Sequence, residues 1–134
     1  MGVVVFDSDV LIGFLNRDDA HHGEAVKRVR PSMAPGNRRL LCAVNYAEIM
    51  VGPVRASTHE LVEQMLVQFN IETIIVDRDL ASHAAAVRAR TNLKLPDAFA
   101  LATVIHAEHR GWENVEIASF DSAVLKAHSE MHPD

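Results

Sequence analysis

The sequence predicts an α/β fold: a three-layer α/β/α sandwich around a mainly parallel central sheet. Three observations predict it. Four short β-type runs recur along the chain, and stretches with apolar residues at three- and four-residue spacing separate them. The first two runs are almost wholly apolar, as expected of strands buried on both faces. Strands alternating with helices in this way build a parallel sheet covered on both sides. With 134 residues, one domain spanning 1–134 is expected, large enough to fold without metal or disulfide staples.

The elements follow in order. Val3–Phe6 is the first strand, and Ser8–Asn16 is helical through Val10, Leu11, Phe14 and Leu15. His21–Arg30 carries Ala25, Val26 and Val29 at the same spacing. Breakers cluster in Pro31–Gly36, which predicts a mobile loop. Leu40–Val44 is the second strand, and beyond it Val44, Ala47, Glu48 and Val51 share one helical face. Thr58–Phe69 is helical through Leu61, Met65, Leu66 and Phe69. Ile71–Val76 is rich in β-branched residues and reads as the third strand. Asp79–Arg90 and Pro96–Arg110 are Ala-rich helices; Pro96 suits a first helical turn and Gly111 a helix end. Val115–Phe120 is the fourth strand, and the helix Ser122–His128 closes the series.

Composition excludes several classes. The formal charge is −5, with 49% hydrophobic and 23% charged residues, which describes a globular rather than a disordered chain. The single cysteine, Cys42, rules out a disulfide framework and a Cys-rich zinc site, and its place within a strand marks it as a small core hydrophobe. Aromatic residues make up 5%, too few for an extended base-stacking platform. No run approaches the ~20 apolar residues of a membrane span. The N-terminus shows neither a basic leader nor a myristoylation pattern, so a cytoplasmic protein is expected.

Ligands of parallel sheets bind beyond the carboxyl ends of the strands. An acid directly after a buried strand, or on an apolar helical stripe, costs desolvation energy and so calls for a partner or a use. Asp7 follows the first strand and Asp121 the last; Glu48 lies on the Val44–Val51 stripe; Asp97 opens a helix whose Leu101, Val104 and Ile105 point one way. Each has a plainer reading: Asp7 and Asp121 as N-caps, Asp97 as a helix-dipole partner, Glu48 as a paired core-edge acid. Asp77 passes the same positional test and reads as an N-cap. Acids converging at one sheet edge repel unless a dication neutralises them, and oxygen-only ligands select Mg²⁺ or Mn²⁺. Without these four, the remaining 14 acids nearly balance the 13 bases, so the outer surface is close to neutral.

The ordered set Asp7-Ser8-Asp9-Val10-Leu11-Ile12, Asp18-Asp19-Ala20-His21-His22, Ala43-Val44-Asn45-Tyr46-Ala47-Glu48-Ile49, Leu93-Lys94-Leu95-Pro96-Asp97-Ala98-Phe99-Ala100-Leu101-Ala102-Thr103 and Ile117-Ala118-Ser119-Phe120-Asp121 resembles a PIN-domain nuclease. The compact length resembles the VapC-type toxins of bacterial toxin–antitoxin pairs. The resemblance implies an Mg²⁺- or Mn²⁺-dependent endoribonuclease leaving 5′-phosphate and 3′-hydroxyl ends. Asp7, Glu48, Asp97 and Asp121 are implied as its catalytic acids, with Asp7, Asp97 and Asp121 on the metal and Glu48 on the attacking water. Asp9 and Ser119 are implied to support them. The Phe120-Asp121-Ser122-Ala123 stretch lacks the basic residue often found after the fourth acid. The resemblance further implies a small VapB-type antitoxin covering the acidic pocket, and a homodimer.

Substrate phosphates are expected near Arg88, Arg90 and Lys94, and Arg38 and Arg39 are further candidates. His106 and His109, three apart on a helix, could pair on a metal but read better as surface residues, as do His21 and His22. Two rival functions remain. Asp7-Ser8-Asp9-Val10 also resembles the first motif of haloacid dehalogenase-like phosphohydrolases, with Asp7 as nucleophile, although only Lys126 follows Ser119 and no paired acids do. The other rival is a PIN-like module that binds without catalysis.

Overall fold

The computed structural model describes residues 2–133. The elements run β1 (Val3–Phe6), α1 (Ser8–Leu15), α2 (His22–Val29), a 3₁₀ turn (Arg30–Met33), β2 (Arg38–Cys42), α3 (Ala43–Arg55), α4 (His59–Gln68), β3 (Ile71–Ile74), α5 (Arg78–Arg90), α6 (Leu95–His109), β4 (Val115–Ala118) and α7 (Ser122–Met131). The sheet order is β3-β2-β1-β4, and every pairing is parallel. Val5 lies beside both Leu40 and Ile117, so β1, the first strand in sequence, is central.

Alternation along the strands assigns the two faces. Val3, Val5 and Leu40 pack with Val87 of α5, Leu101 and Val104 of α6 and Val124 of α7. Phe6 and Leu41 pack on the other face with Val10 and Leu11 of α1, Val29 of α2, Ile49 of α3 and Leu66 of α4. The predicted three-layer sandwich is the observed one, with Cys42 fully buried beside Leu80, Ala84 and Ala102.

Several boundaries differ from the expected ones for identifiable reasons. The second strand ends at Cys42, and α3 starts at the next residue with no linker. Val44 therefore turns a helix rather than extending a strand. The inward stripe of α3 is also not the predicted one. Asn45, Ile49 and Met50 are buried, whereas Ala47 and Val51 are exposed and Glu48 lies half-buried at the edge. Pro31–Gly36 is not simply a loop: Arg30–Met33 winds into a 3₁₀ turn in which buried Ser32 donates its hydroxyl to the Val29 carbonyl and Met33 packs on the core. Asp77 caps α5 as expected, accepting the Leu80 N–H at 2.8 Å. Gly111, at φ +87°, follows the end of α6, a conformation in which a side chain would be strained.

Candidate active site at the carboxyl edge of the sheet

Three predicted acids reach the carboxyl edge by being first or near-first residues of helices. Asp7 ends β1 and caps α1, Asp121 caps α7, and Asp97 sits in the first turn of α6. Asp7 is 1% exposed. Its Oδ1 accepts the Ser8 N–H at 2.9 Å and its Oδ2 accepts the Ser119 hydroxyl at 2.8 Å. The Ser119 oxygen in turn accepts the Asp121 N–H at 3.0 Å. One buried hydroxyl thus joins the acid after the first strand to the acid after the last. Asp121 accepts the Ala123 N–H through Oδ1 at 2.8 Å. Capping and site formation are therefore not alternatives: for Asp7 and Asp121 the cap fixes the carboxylate at the edge.

Glu48 arrives from α3 with Asn45 beside it. The Asn45 side chain is fully buried. Its Nδ2 donates to Glu48 Oε1 and to the Pro96 carbonyl, both at 3.1 Å, and its Oδ1 is buried without a partner. This amide ties the second acid to the helix start that carries Asp97. Asp9, half-buried, accepts the Phe120 N–H through Oδ2 at 3.0 Å, while its Oδ1 is buried without a partner. The sequence did not single out Asn45, although its position three residues before Glu48 on one helical face was a readable signal.

The carboxylates act on one another. Burial, reinforced by the charges of Asp9 and Asp97 and only partly offset by the Ser119 hydrogen bond, pushes the Asp7 carboxyl up from 3.8 to about 7. Asp97 is raised by burial and by the charges of Asp121, Glu48 and Asp9, with Lys94 opposing. Asp9 is raised by burial and by Asp121, while two backbone N–H groups and Arg28 pull the other way. The four predicted acids and Asp9 thus form one coupled anionic cluster.

Among the described residues no three His, Cys, Asp or Glu side chains already lie in a metal-holding arrangement. The cluster fits a hard dication in donor chemistry: its members are all carboxylates, they repel one another, and Asp9 keeps a buried oxygen without a donor.

The predicted cations divide. Lys94, exposed before α6, acts on Asp97, whereas exposed Arg88 donates only to the Thr91 carbonyl at 3.4 Å and Arg90 lies exposed at the last residue of α5. Arg38 and Arg39 belong to the opposite, amino edge of the sheet and are spent there: Arg38 pairs with Glu72 at 2.7 Å, and Arg39 donates to the carbonyls of Phe69, Ser32 and Asn37. They face away from the acids because they open β2 rather than follow it. His106 is half-buried, and His109 meets His83 edge to face with ring centres 5.0 Å apart. His22 is half-buried rather than superficial, its Nδ1 lying 2.8 Å from the Gly13 carbonyl.

Two concavities open on the surface, and one of them reaches the cluster. A groove of about 760 Å³ between α1, α3 and α4 is lined by Ile12, Val51, Leu61 and Met65 and reaches Glu48. A cleft of about 450 Å³ on the β4 side is lined by Lys27, Arg28, Glu116 and Ala118, and none of the clustered acids borders it.

The PIN domain family profile matches residues 4–127, nearly the whole chain. A comparison with curated proteins returns no match. Among solved structures, a toxin–antitoxin complex from Klebsiella pneumoniae is 24% identical with a TM-score of 0.67, the alignment covering 91% of this chain and 88% of that one. VapC20 of Mycobacterium tuberculosis, described as a sarcin-ricin loop cleaving toxin, is 20% identical with a TM-score of 0.68, covering 94% and 95%. VapBC2 of Rickettsia felis, bound to a promoter DNA fragment, is 12% identical with a TM-score of 0.57, covering 89% and 99%. These likenesses are of fold; the profile match carries family membership. The chain belongs to the PIN domain family.

Proposed function

We propose that this PIN-domain protein is a divalent-metal-dependent endoribonuclease and the toxin of a toxin–antitoxin pair. The observation that carries the reading is the coupled carboxylate cluster, in which a nearly inaccessible Asp7 is pushed up to about 7 by burial and neighbouring charge. A fold that keeps such a group at a strand end bears a cost that a bound cation offsets. Family membership sets aside the haloacid dehalogenase-like alternative, and the intact acid set argues against a module that only binds.

Asp7, Asp97 and Asp121 would hold Mg²⁺ or Mn²⁺, which when bound supplies charge stabilisation to a phosphodiester and acidifies a water. Ser119 keeps Asp7 and Asp121 aimed at one place. Asp9 adds negative charge beside them. Glu48, held by the Asn45 amide, orients the attacking water and accepts its proton. Lys94 meets a substrate phosphate beside Asp97, with Arg88 and Arg90 further along the same approach. Cleavage would leave 5′-phosphate and 3′-hydroxyl ends.

The partner would be a small VapB-type antitoxin. The groove between α1, α3 and α4, with Leu61 58% exposed, Val51 48% and Ile12 40%, is apolar enough for an amphipathic segment whose basic side chain reaches the acids at Glu48. One solved relative is described as a toxin–antitoxin complex. A homodimer follows from the VapC resemblance alone. No helix among the described residues is long and apolar enough to cross a membrane.

The deciding experiment is cleavage of cellular RNA with Mn²⁺, its ends mapped, by the unsubstituted protein beside Asp7→Asn and Asp97→Asn. Each substitution should lower cleavage by at least about a hundredfold. Undiminished cleavage by both variants overturns the reading.

A further inference from the structure

A cation and two rings stand at the same corner of the sheet as Asp9 and Asp121, on the side away from Lys94. The Arg28 guanidinium of α2 lies over the Phe120 ring, 5.5 Å from its centre, and donates to the Ser119 carbonyl at 3.1 Å. The His21 ring lies 6.0 Å from that of Phe120, tilted by 46°. Phe120 itself is pinned by the Asp9 carboxylate through its backbone N–H. Arg28 and His21 are exposed and Phe120 is half-buried. Among the described residues Arg28 makes no ion pair. It spends one of its five N–H donors on a carbonyl, and its charge acts on Asp9 at the margin of the anionic pocket without closing an ion pair with it.

A cation with donors to spare and no close ion pair, standing near repelling carboxylates, suits an anion that must be brought to them. A guanidinium fixed by a backbone bond and a ring is preorganised for phosphate, and a neighbouring ring offers a stacking face that any base can use. We propose that Arg28, Phe120 and His21 form a subsite for single-stranded RNA. Arg28 holds the phosphate next to the cleaved one, and the Phe120–His21 edge carries the adjoining base. The strand then crosses the acid cluster from Arg28 on one side to Lys94 on the other. This deepens the ribonuclease reading and rests on it. It also answers the missing basic residue after Asp121: the charge comes instead from α2. A low aromatic content excludes an extended platform, not a shelf of this size.

The test measures binding of a mixed-sequence single-stranded RNA across a salt series, in an Asp7→Asn background that prevents cleavage. Arg28→Gln is the informative variant, since it removes the charge while keeping a donor for the Ser119 carbonyl. Losing one single-strand phosphate contact should weaken binding about fivefold at about 0.1 M salt and flatten the log–log salt slope by about 0.7. Arg28→Lys should keep the slope, and Phe120→Leu should weaken binding about tenfold with the slope unchanged. Read on the single variants with Asp7 intact, melting temperature should not move for Arg28→Gln, and Mn²⁺ affinity should not fall, because losing a cation that acts on Asp9 favours a dication there. A salt slope unaltered in Arg28→Gln, while the parent binds RNA, overturns the subsite. So does a loss that appears only as weaker Mn²⁺ binding or lower melting, because Arg28 would then merely prop the loop. A parent that binds no RNA at either salt extreme overturns the ribonuclease reading itself.

Discussion

The two ends of the sheet handle charge in opposite ways. At the amino edge, the two arginines that open β2 are both fully engaged. Arg38 pairs with Glu72 at 2.7 Å and stacks on Trp112 at 3.9 Å, and Arg39 satisfies three carbonyls, Ser32 at 2.6 Å, Phe69 at 2.9 Å and Asn37 at 3.3 Å. At the carboxyl edge, carboxylates gather against one another, and two buried oxygens, on Asp9 and Asn45, lack any donor. One edge is built for stability and the other withholds compensation where a ligand would supply it. Buried polar groups are normally satisfied. Among the described residues a third buried atom without a partner, His128 Nε2 of α7, lies beside His132. Only the Asp9 and Asn45 oxygens sit among mutually repelling carboxylates, and that combination marks the place of chemistry.

Asp7→Asn should break this contrast most strongly. The folded-state pKa of Asp7 is raised to about 7 from 3.8, so between roughly those values the folded chain holds a proton that the unfolded chain has released. Its contribution is therefore fully present at low pH and is lost as pH rises towards 7. In metal-free protein the loss is of the order of 4 kcal/mol at most, and the Asn variant should be the more stable form above pH 7. Urea midpoints at about pH 5 and about pH 8, with chelator present, check it. A parent whose stability does not fall between them removes the basis of the comparison.

Arg39→Ala should give the next largest effect, in the opposite sense. Removing a guanidinium bonded to three carbonyls should cost about 2–3 kcal/mol of stability. Cleavage per folded molecule should stay unchanged, because the proposed site lies at the other edge. Paired denaturation and turnover measurements would show whether the two ends are separable. Asn45→Ala tests the boundary between them. It should cost about 1–2 kcal/mol and lower turnover about tenfold, since Glu48 and the α6 start lose their common donor. Turnover equal to the parent's would make Asn45 purely a packing residue. Glu72→Gln should be mildest, below about 1 kcal/mol and fading at high salt, as for an exposed pair. Melting at low and high ionic strength measures it.

How much of this was legible in the sequence depends on which force placed each residue. The layers follow from apolar patterning, a local signal, and each of the four strands overlaps the apolar run that predicted it. The order β3-β2-β1-β4 is set by long-range pairing that no local run reveals. Asp7 and Asp121 were legible because a strand end is itself a position. Glu48 was found for an imperfect reason: the apolar spacing of Val44, Ala47 and Val51 pointed to an inward stripe, yet Val51 is exposed beside the groove and Asn45 took the core position. A buried amide costs desolvation unless bonded, and its partners, Glu48 and Pro96, are not visible together in one dimension. Arg28 was missed for the same reason, since α2 meets the Ser119–Phe120 corner only through a contact 91 residues away along the chain. Arg38 and Arg39 were misplaced because nearness to a strand says nothing about which end of the sheet it starts from. Cys42 hides the other surprise: a strand passing into a helix without a linker leaves no turn residue to read.

The hydroxyl of Ser119 binds a carboxylate 112 positions earlier. β1 and its β4 neighbour are separated along the chain by both other strands of the sheet and by six helices. Until that separation is closed, Asp7 lacks its clasp and Asp121 stands apart from it. The corner therefore closes only when β4 docks on β1, and the proposed cleavage would begin with that docking.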